Sequence, residues 1–100
     1  LANLVAIYSA LGDTELADEY RQRIRRWRDM NPYYHFGVAQ ALYDQKRFDD
    51  ALISLQSAIR LKRDEDEFYL LQGRAFTEVG RPDRAIASFA RAKELAAARE

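Results

Sequence analysis

The side chains that most often carry out catalysis are scarce in this chain. His35 is the only histidine, and the 100 residues contain no cysteine. A general base or a metal ligand needs a second polar group within reach. The sequence has no such group at a spacing from His35 that is typical of a catalytic or metal site. Glycine-rich phosphate loops, nucleophile elbows and His-Glu-x-x-His patterns are also absent. We therefore predict that this segment is not an enzyme, has no cofactor or metal, and uses His35 for packing.

Carboxylates cluster at two places in the sequence. The stretch RDEDEF, residues 63–68, holds four of them, and Asp49 and Asp50 form a pair. A calcium loop would need glycine and alternating oxygen ligands, which neither place offers. Negative charge at the start of a helix is stabilised by the helix dipole. Both clusters are predicted to open helices rather than to bind metal or form a catalytic dyad.

The stretch RQRIRRWRDM, residues 21–30, contains five arginines and could suggest nucleic-acid binding. The whole chain, however, balances 16 Lys and Arg against 16 Asp and Glu, and aromatic residues are not interleaved with the arginines as in many nucleic-acid surfaces. Acidic residues stand three or four positions away in the pairs Asp18 with Arg21, Glu19 with Arg23, and Arg25 with Asp29. We interpret the stretch as the solvated face of a helix that turns Ile24 and Trp27 inward. An acidic protein partner is the first alternative and a nucleic acid the second.

The composition favours helices throughout. Hydrophobic residues make up 48% of the chain, with only four Gly and two Pro, which is typical of an all-α domain. No apolar run approaches the roughly 18 residues of a membrane span. The lack of cysteine leaves the compartment open between cytoplasm and periplasm. The start lacks a methionine and a basic leader, so we expect a segment of a longer protein.

A constant spacing runs along the chain. Ala17, Ala51 and Ala85 are separated by 51 − 17 = 34 and 85 − 51 = 34 residues. The same spacing links Val5, Ala39 and Gly73, and also Tyr8, Leu42 and Phe76. Small residues allow two helices to approach closely, and the larger residues fill the space one turn further on. Helices are predicted over 1–11, 14–29, 33–45, 48–61, 66–79 and 82–99, with turns at Gly12-Asp13, Lys46-Arg47 and Gly80-Arg81 and a break at Asn31-Pro32.

These motifs resemble those of the tetratricopeptide repeat family. The best match carries Tyr69, Gly73, Phe76, Ala85 and Phe89 at the family's positions. The resemblance implies an all-α, right-handed α-solenoid of about three 34-residue helix–turn–helix repeats, with six helices. Its repeats would span 1–31, which is degenerate, 32–65 and 66–100, together forming one domain.

The resemblance also implies a function, because the first helices of such repeats line a concave groove for a peptide or helix of a partner protein. The places that face this groove include Glu67 and Leu71, and the predicted binding residues are Tyr33, Phe36, Gln40, Tyr43, Asp44, Leu70, Arg74, Thr77 and Glu78. Relatives that hold chaperone tails use a clamp of Lys and Asn. Here the Lys places hold Phe36 and Leu70, and the Asn places hold Gln40 and Arg74, so a more apolar ligand is expected.

Two alternative functions stay open. The last helix shows Ile86, Ala90 and Lys93 on the side where another helix would stack, beside the inward Ala85, Phe89 and Ala92. Because terminal repeats normally have a polar outer face, either more protein follows in the parent chain or this segment self-associates as a homo-oligomer through its terminal helices. It could also be a regulatory appendage of an enzyme domain elsewhere in a longer chain. Phe36, Leu70 and Leu71 could equally pack only between neighbouring helices.

Overall fold

The structure, a computed structural model, describes residues 2–10 and 12–99, without the side chains of Ala2 and Tyr8. Within that range all regular structure is helical: α1 (Ala2–Ala10), α2 (Thr14–Met30), α3 (Pro32–Asp44), α4 (Phe48–Leu61), α5 (Asp66–Glu78) and α6 (Pro82–Ala98). The predicted helices are confirmed to within one residue at each end that can be compared. The predicted ends Leu1 and Leu11 lie outside the described residues.

The helices fall into two units, residues 1–30 and 31–100. In the first unit α1 packs against α2. In the second unit α3 packs against α4, α4 against α5, and α5 against α6, while α3 also touches α5. The first helices of two successive repeats are therefore neighbours within the second unit.

Polar side chains cap the starts of α2 and α3. The Leu16 N–H donates to Asp13 Oδ1 at 3.0 Å. Asn31 Oδ1 accepts from the N–H groups of Tyr33 at 2.9 Å and Tyr34 at 3.3 Å. These bonds satisfy donors that a helix start leaves without an intrahelical partner. The predicted break at Asn31-Pro32 is thus a capped helix start, with Pro32 in the first turn, where its missing N–H costs nothing.

The turns between the two helices of each pair repeat one backbone conformation. Gly12, Lys46 and Gly80 have φ angles of 81°, 63° and 76°. In the second unit the Arg47 N–H donates to the Leu42 carbonyl and the Arg81 N–H to the Phe76 carbonyl, each at 2.8 Å. Such a bond ends a helix when the residue before the donor has a left-handed backbone conformation, as Lys46 and Gly80 do here. All three predicted turns are confirmed, and lysine occupies the strained position in one of them.

The core of the second unit is built from small residues and a few large ones. Ala39, Ala51, Leu55, Ala58, Phe68 and Leu71 form one buried cluster. Between α5 and α6, a Cβ atom on Gly73 would come within 2.6 Å of the Phe89 ring. The predicted close approach of helices at this glycine is therefore confirmed.

The arginine-rich part of α2 agrees with the predicted solvated face in all but one residue. Arg21 Nη1 lies 2.7 Å from Asp18 Oδ1 and Arg23 Nη2 lies 2.9 Å from Glu19 Oε1. Trp27, however, is 57% exposed, so its prediction as an inward residue is wrong. In this unit α1 has 9 described residues and α2 has 17, and the last turns of α2 lie past the described start of α1 in this antiparallel pair.

Candidate partner-binding cleft

Helices α3 and α5 enclose a cleft of about 220 Å³ in the second unit. We call it the α3/α5 cleft, and its lining residues are Phe36, Gln40, Glu67, Leu70, Leu71 and Arg74. Phe36 and Gln40 are one helical turn apart on α3, and the other four follow the i, i+3, i+4, i+7 pattern of one face of α5. The cleft therefore forms because the same faces of two successive first helices meet.

The floor of the α3/α5 cleft is apolar and continuous with the core. Leu71 is 7% exposed and belongs to the buried cluster, against which Phe36 packs. The Phe36 ring centroid lies 5.0 Å from that of Phe68, a fully buried side chain. Leu70 closes one side and keeps 38% of its surface exposed. A ligand side chain entering here would meet a floor held rigid by core packing.

Three exposed polar groups surround this floor: an amide on Gln40, a carboxylate on Glu67 and a guanidinium on Arg74. Within residues 2–10 and 12–99, none of the three makes a hydrogen bond or ion pair through its side chain. Together they offer donors, acceptors and charges of both signs. Convergent polar groups around an apolar floor are the usual composition of a binding site.

The other predicted residues lie away from the α3/α5 cleft. The Tyr43 ring packs edge-on against Phe48 of α4, with centroids 5.2 Å apart. Thr77 Oγ1 donates to the Gly73 carbonyl at 2.9 Å within α5. Asp44 and Glu78 are exposed at the last residues of α3 and α5. None of these residues lines the α3/α5 cleft, because they are three or four residues, about one turn, beyond Gln40 and Arg74.

Tyr33 instead links α3 to the start of α5. Its hydroxyl donates to Glu65 Oε2 at 2.8 Å, and this bond, with a smaller effect of burial, raises the pKa of Tyr33. Arg99 lies 3.7 Å from Glu65 Oε1 and 2.6 Å from Asp66 Oδ1. Sequence reasoning missed this network, because no local spacing connects Tyr33, Glu65 and Arg99.

In each of two other clefts, at least one polar side chain is already engaged. In the first unit, a cleft of about 290 Å³ is lined by Val5, Arg21, Ile24, Arg25 and Arg28, and Arg21 there contacts Asp18 and Ser9. Between α4, α5 and α6, a cleft of about 290 Å³ is lined by Leu52, Ile53, Gln56, Gln72, Phe76 and Arg84. There Gln72 accepts a hydrogen bond from Ser88 at 2.9 Å. The α3/α5 cleft differs because none of its three polar side chains has such a partner among the described residues.

The sequence profile of the tetratricopeptide repeat matches residues 7–66 and again residues 39–100. The chain therefore belongs to the tetratricopeptide repeat family, and the predicted helical-repeat fold is confirmed. Proteins of this family are generally non-catalytic scaffolds for protein interactions, and this chain has the fold of such a scaffold. No curated protein sequence is similar enough to count as a match.

Solved structures of MamA share this fold. The structure "MamA MSR-1 C2" superposes with a TM-score of 0.72 at 22% identity, covering 99% of this chain and 57% of the MamA chain. The structure "MamA AMB-1 C2221" gives a TM-score of 0.67 at 25% identity, covering 92% and 54%. The chain thus spans little more than half the length of these structures.

Two further searches of the described residues gave negative results. No group of three or more His, Asp or Glu side chains there is arranged to hold a metal ion. None of the described helices is both long and apolar enough to cross a membrane.

Proposed function

We propose that the chain is a non-catalytic interaction module whose α3/α5 cleft binds a short segment of a partner protein. The observation that carries this proposal is the apolar floor under three polar side chains without partners among the described residues. An apolar side chain of the ligand would lie on Phe36 and Leu71. Gln40 and Arg74 would hydrogen-bond to its backbone or to a polar neighbour and so fix its direction.

The chemistry of the rim favours an apolar ligand segment over a carboxylate tail. Phe36 and Leu70 stand at the positions where chaperone-binding relatives carry lysines, and Arg74 is the only cation lining the α3/α5 cleft. Glu67, at the same cleft, would repel a second carboxylate. We therefore propose a ligand with one large apolar side chain and no clustered negative charge.

A peptide library selected on the wild-type chain provides the probe for this proposal. Selected peptides are labelled, and their affinities are measured by fluorescence anisotropy. The double change Gln40→Ala with Arg74→Ala should weaken binding by about tenfold or more, because truncating a central arginine contact commonly costs over 1 kcal/mol. Both side chains are exposed, so circular dichroism and the midpoint of urea unfolding should stay unchanged.

The cleft between α4, α5 and α6 offers a matched control, because Gln56 and Arg84 line it. The double change Gln56→Ala with Arg84→Ala should leave the affinity of the selected peptides unchanged. If the selected peptides bind the Gln56 and Arg84 variant more weakly but bind the Gln40 and Arg74 variant as well as the wild type, the proposal that they bind in the α3/α5 cleft is wrong.

Self-association is a second candidate function, and one observation favours it. Ile86 of α6 is 69% exposed, and exposed apolar surface is a common origin of association between copies. Light scattering over a concentration series tests it. A dimer that dissociates on Ile86→Glu would support this candidate, and a monomer at every concentration would exclude it.

We propose that the repeats 1–31, 32–65 and 66–100 act as one domain, and that a regulatory role beside an enzyme domain would use the same cleft. Limited proteolysis tests the first point. If the first cut falls near residue 31 and leaves a stable fragment, the repeats do not form one cooperative domain.

A further inference from the structure

The two ends of the α3/α5 cleft carry opposite charges. Glu67 lies one turn before Leu71 on α5, and Arg74 lies about one turn after it, and these two are the only ionisable side chains that line the cleft. Seven residues of an α-helix span about 10 Å. Among the described residues, neither side chain has an ion-pair partner. The cleft therefore presents one carboxylate and one guanidinium on either side of its apolar floor.

The two carboxylates in the first turn of α5 differ in what they contact. Asp66 Oδ1 lies 2.6 Å from Arg99, and Asp66 alone keeps negative charge at the positive end of the helix dipole. Glu67, the next residue, is exposed and lines the α3/α5 cleft instead. The charge of Glu67 is therefore available to a ligand, and it can be changed by mutation while the start of α5 stays acidic.

The basic end of the cleft combines two hydrogen-bond donors. Gln40 and Arg74 stand at equivalent places on α3 and α5, 34 residues apart, as Phe36 and Leu70 do. Because α3 and α5 contact each other, the Gln40 amide lines the same cleft as the Arg74 guanidinium. A guanidinium binds a carboxylate through two parallel N–H groups, and an amide can donate to the same oxygens. This end is suited to a single carboxylate of the ligand.

The acidic end of the cleft depends on Glu67 alone. An ionised carboxylate only accepts hydrogen bonds, so Glu67 would bind a lysine or arginine of the ligand and repel an acidic residue. The equivalent place on α3 holds Tyr33, whose hydroxyl already donates to Glu65 Oε2 at 2.8 Å. The charge at this end is therefore negative, opposite to that at the other end.

We infer that the partner segment bound in the α3/α5 cleft carries one acidic and one basic residue, on either side of its large apolar residue. The acidic side chain binds Arg74 and Gln40, and the basic side chain binds Glu67. A cleft of about 220 Å³ admits one large side chain of an extended segment rather than the row that a helix presents. At about 3.3 Å per residue, the two charged residues stand about three positions apart. This inference rests on the proposed function and adds the charges that the ligand must have.

The peptides selected on the wild-type chain provide the probe. Their sequences should contain an acidic and a basic residue around one large apolar residue. The tightest peptide is then synthesised in three labelled forms: as selected, with glutamate at both charged positions, and with lysine at both. In fluorescence anisotropy with the wild-type chain, each of the two like-charged forms should bind about fivefold more weakly than the selected form, because one exposed ion pair is lost.

Variants of the protein should change which form binds best. Arg74→Glu makes both ends acidic and should prefer the two-lysine form, whereas Glu67→Arg makes both ends basic and should prefer the two-glutamate form. Glu67→Gln, which adds no cation at the start of α5, should bind the selected and two-glutamate forms equally. Arg84→Glu, outside the α3/α5 cleft, changes the net charge as Arg74→Glu does and should keep the wild-type preference. The preferences should fade in about 1 M salt, and circular dichroism checks the fold of each variant.

Two results would overturn the inference. Selected peptides that lack either charge, or that bind equally well in all three forms, would show that the cleft does not read charge. If such peptides still lose affinity for the Gln40→Ala and Arg74→Ala variant, the proposed function stands and only this inference fails; peptides unaffected by that variant refute the proposed function itself. A dimer of the wild-type chain that dissociates on Arg74→Glu in light scattering would identify a second copy as the occupant instead of a partner segment.

Discussion

The middle repeat, α3 with α4, and the third repeat, α5 with α6, have matching sequences but differ in burial. Leu55 is fully buried, whereas Phe89, its counterpart 34 residues later, is 37% exposed. Leu52 is half-buried, and its counterpart Ile86 is 69% exposed. The same positions bury their side chains only where a further helix covers them.

The burial of other positions does not depend on whether a further helix packs against the repeat. Ala51 and Ala85 are 0% and 3% exposed, and Ala58 and Ala92 are 0% and 7% exposed. These alanines are buried in both repeats, including the third, which has no further helix packed beyond α6 among those described. The comparison separates positions that hold one helix pair together from positions that hold successive pairs together.

The largest expected effect comes from truncating the counterparts Leu55 and Phe89. Leu55→Ala should lower the free energy of unfolding by about 3 kcal/mol, because it leaves a cavity in a sealed core. Phe89→Ala should cost about half as much despite its larger side chain, because water already reaches part of the ring. Urea unfolding of both variants measures the difference. If both variants lose the same free energy of unfolding, the covering of Leu55 by α5 contributes nothing to stability.

A second prediction concerns the contact that differs between the helix pairs. Gly73→Ala would bring a Cβ to within 2.6 Å of the Phe89 ring, so a net loss of about 1–2 kcal/mol is expected even after the gain in helix propensity. The middle repeat has Ala39 and Leu55 at these two places. Gly73→Ala combined with Phe89→Leu should therefore remove the penalty. A double-mutant cycle without coupling would contradict this account.

Substitutions at the equivalent turn positions Lys46 and Gly80 should change the free energy of unfolding by a smaller amount and in opposite directions. Lys46 has a φ of 63° where Gly80 has 76°, and a side chain in the left-handed region costs about 1 kcal/mol. Lys46→Gly should raise the free energy of unfolding by about that amount, and Gly80→Lys should lower it similarly. Thermal unfolding measures both changes, and stabilisation by Gly80→Lys would show that the two turns are not equivalent.

The smallest prediction concerns the hydroxyl group of Tyr33, which links α3 to the start of α5. The hydrogen bond to Glu65 favours the neutral phenol and raises the pKa of Tyr33 above its ordinary value. The stability from this bond is present below the pKa of the unfolded chain and is lost as the pH rises through the folded pKa. Glu65→Gln should lower the Tyr33 pKa, measured from phenolate absorbance against Tyr33→Phe. The matched change Glu67→Gln should leave it in place.

Much of the fold could be predicted because its signals are local or periodic. Asn31 and Pro32 mark a helix start by their own chemistry, and Gly12 and Gly80 mark turns by their freedom to adopt positive φ. For the α3/α5 cleft, the resemblance to tetratricopeptide repeats predicts Phe36, Gln40, Leu70 and Arg74 on the same faces of two helices. It also predicts Tyr43 in the groove, but the Tyr43 ring packs against Phe48 of α4, because its direction depends on the packing around it.

Trp27 and the Tyr33 network mark the limit of such reasoning. An apolar residue at helical spacing predicts an inward side chain only if another helix covers it, and Trp27 lies past the described start of α1, the helix that packs on α2. The contacts of Tyr33 and Arg99 with Glu65 join residues distant in sequence, so no spacing could indicate them.

The six helices, their turns and the 34-residue period follow from the sequence alone, because they depend on backbone preferences and on the pattern of small and apolar residues. Which of the matching positions are sealed and which stay open depends on tertiary packing, because burial requires another helix against the same face. Leu55 has α5 beside it, whereas no described helix covers the matching face at Phe89.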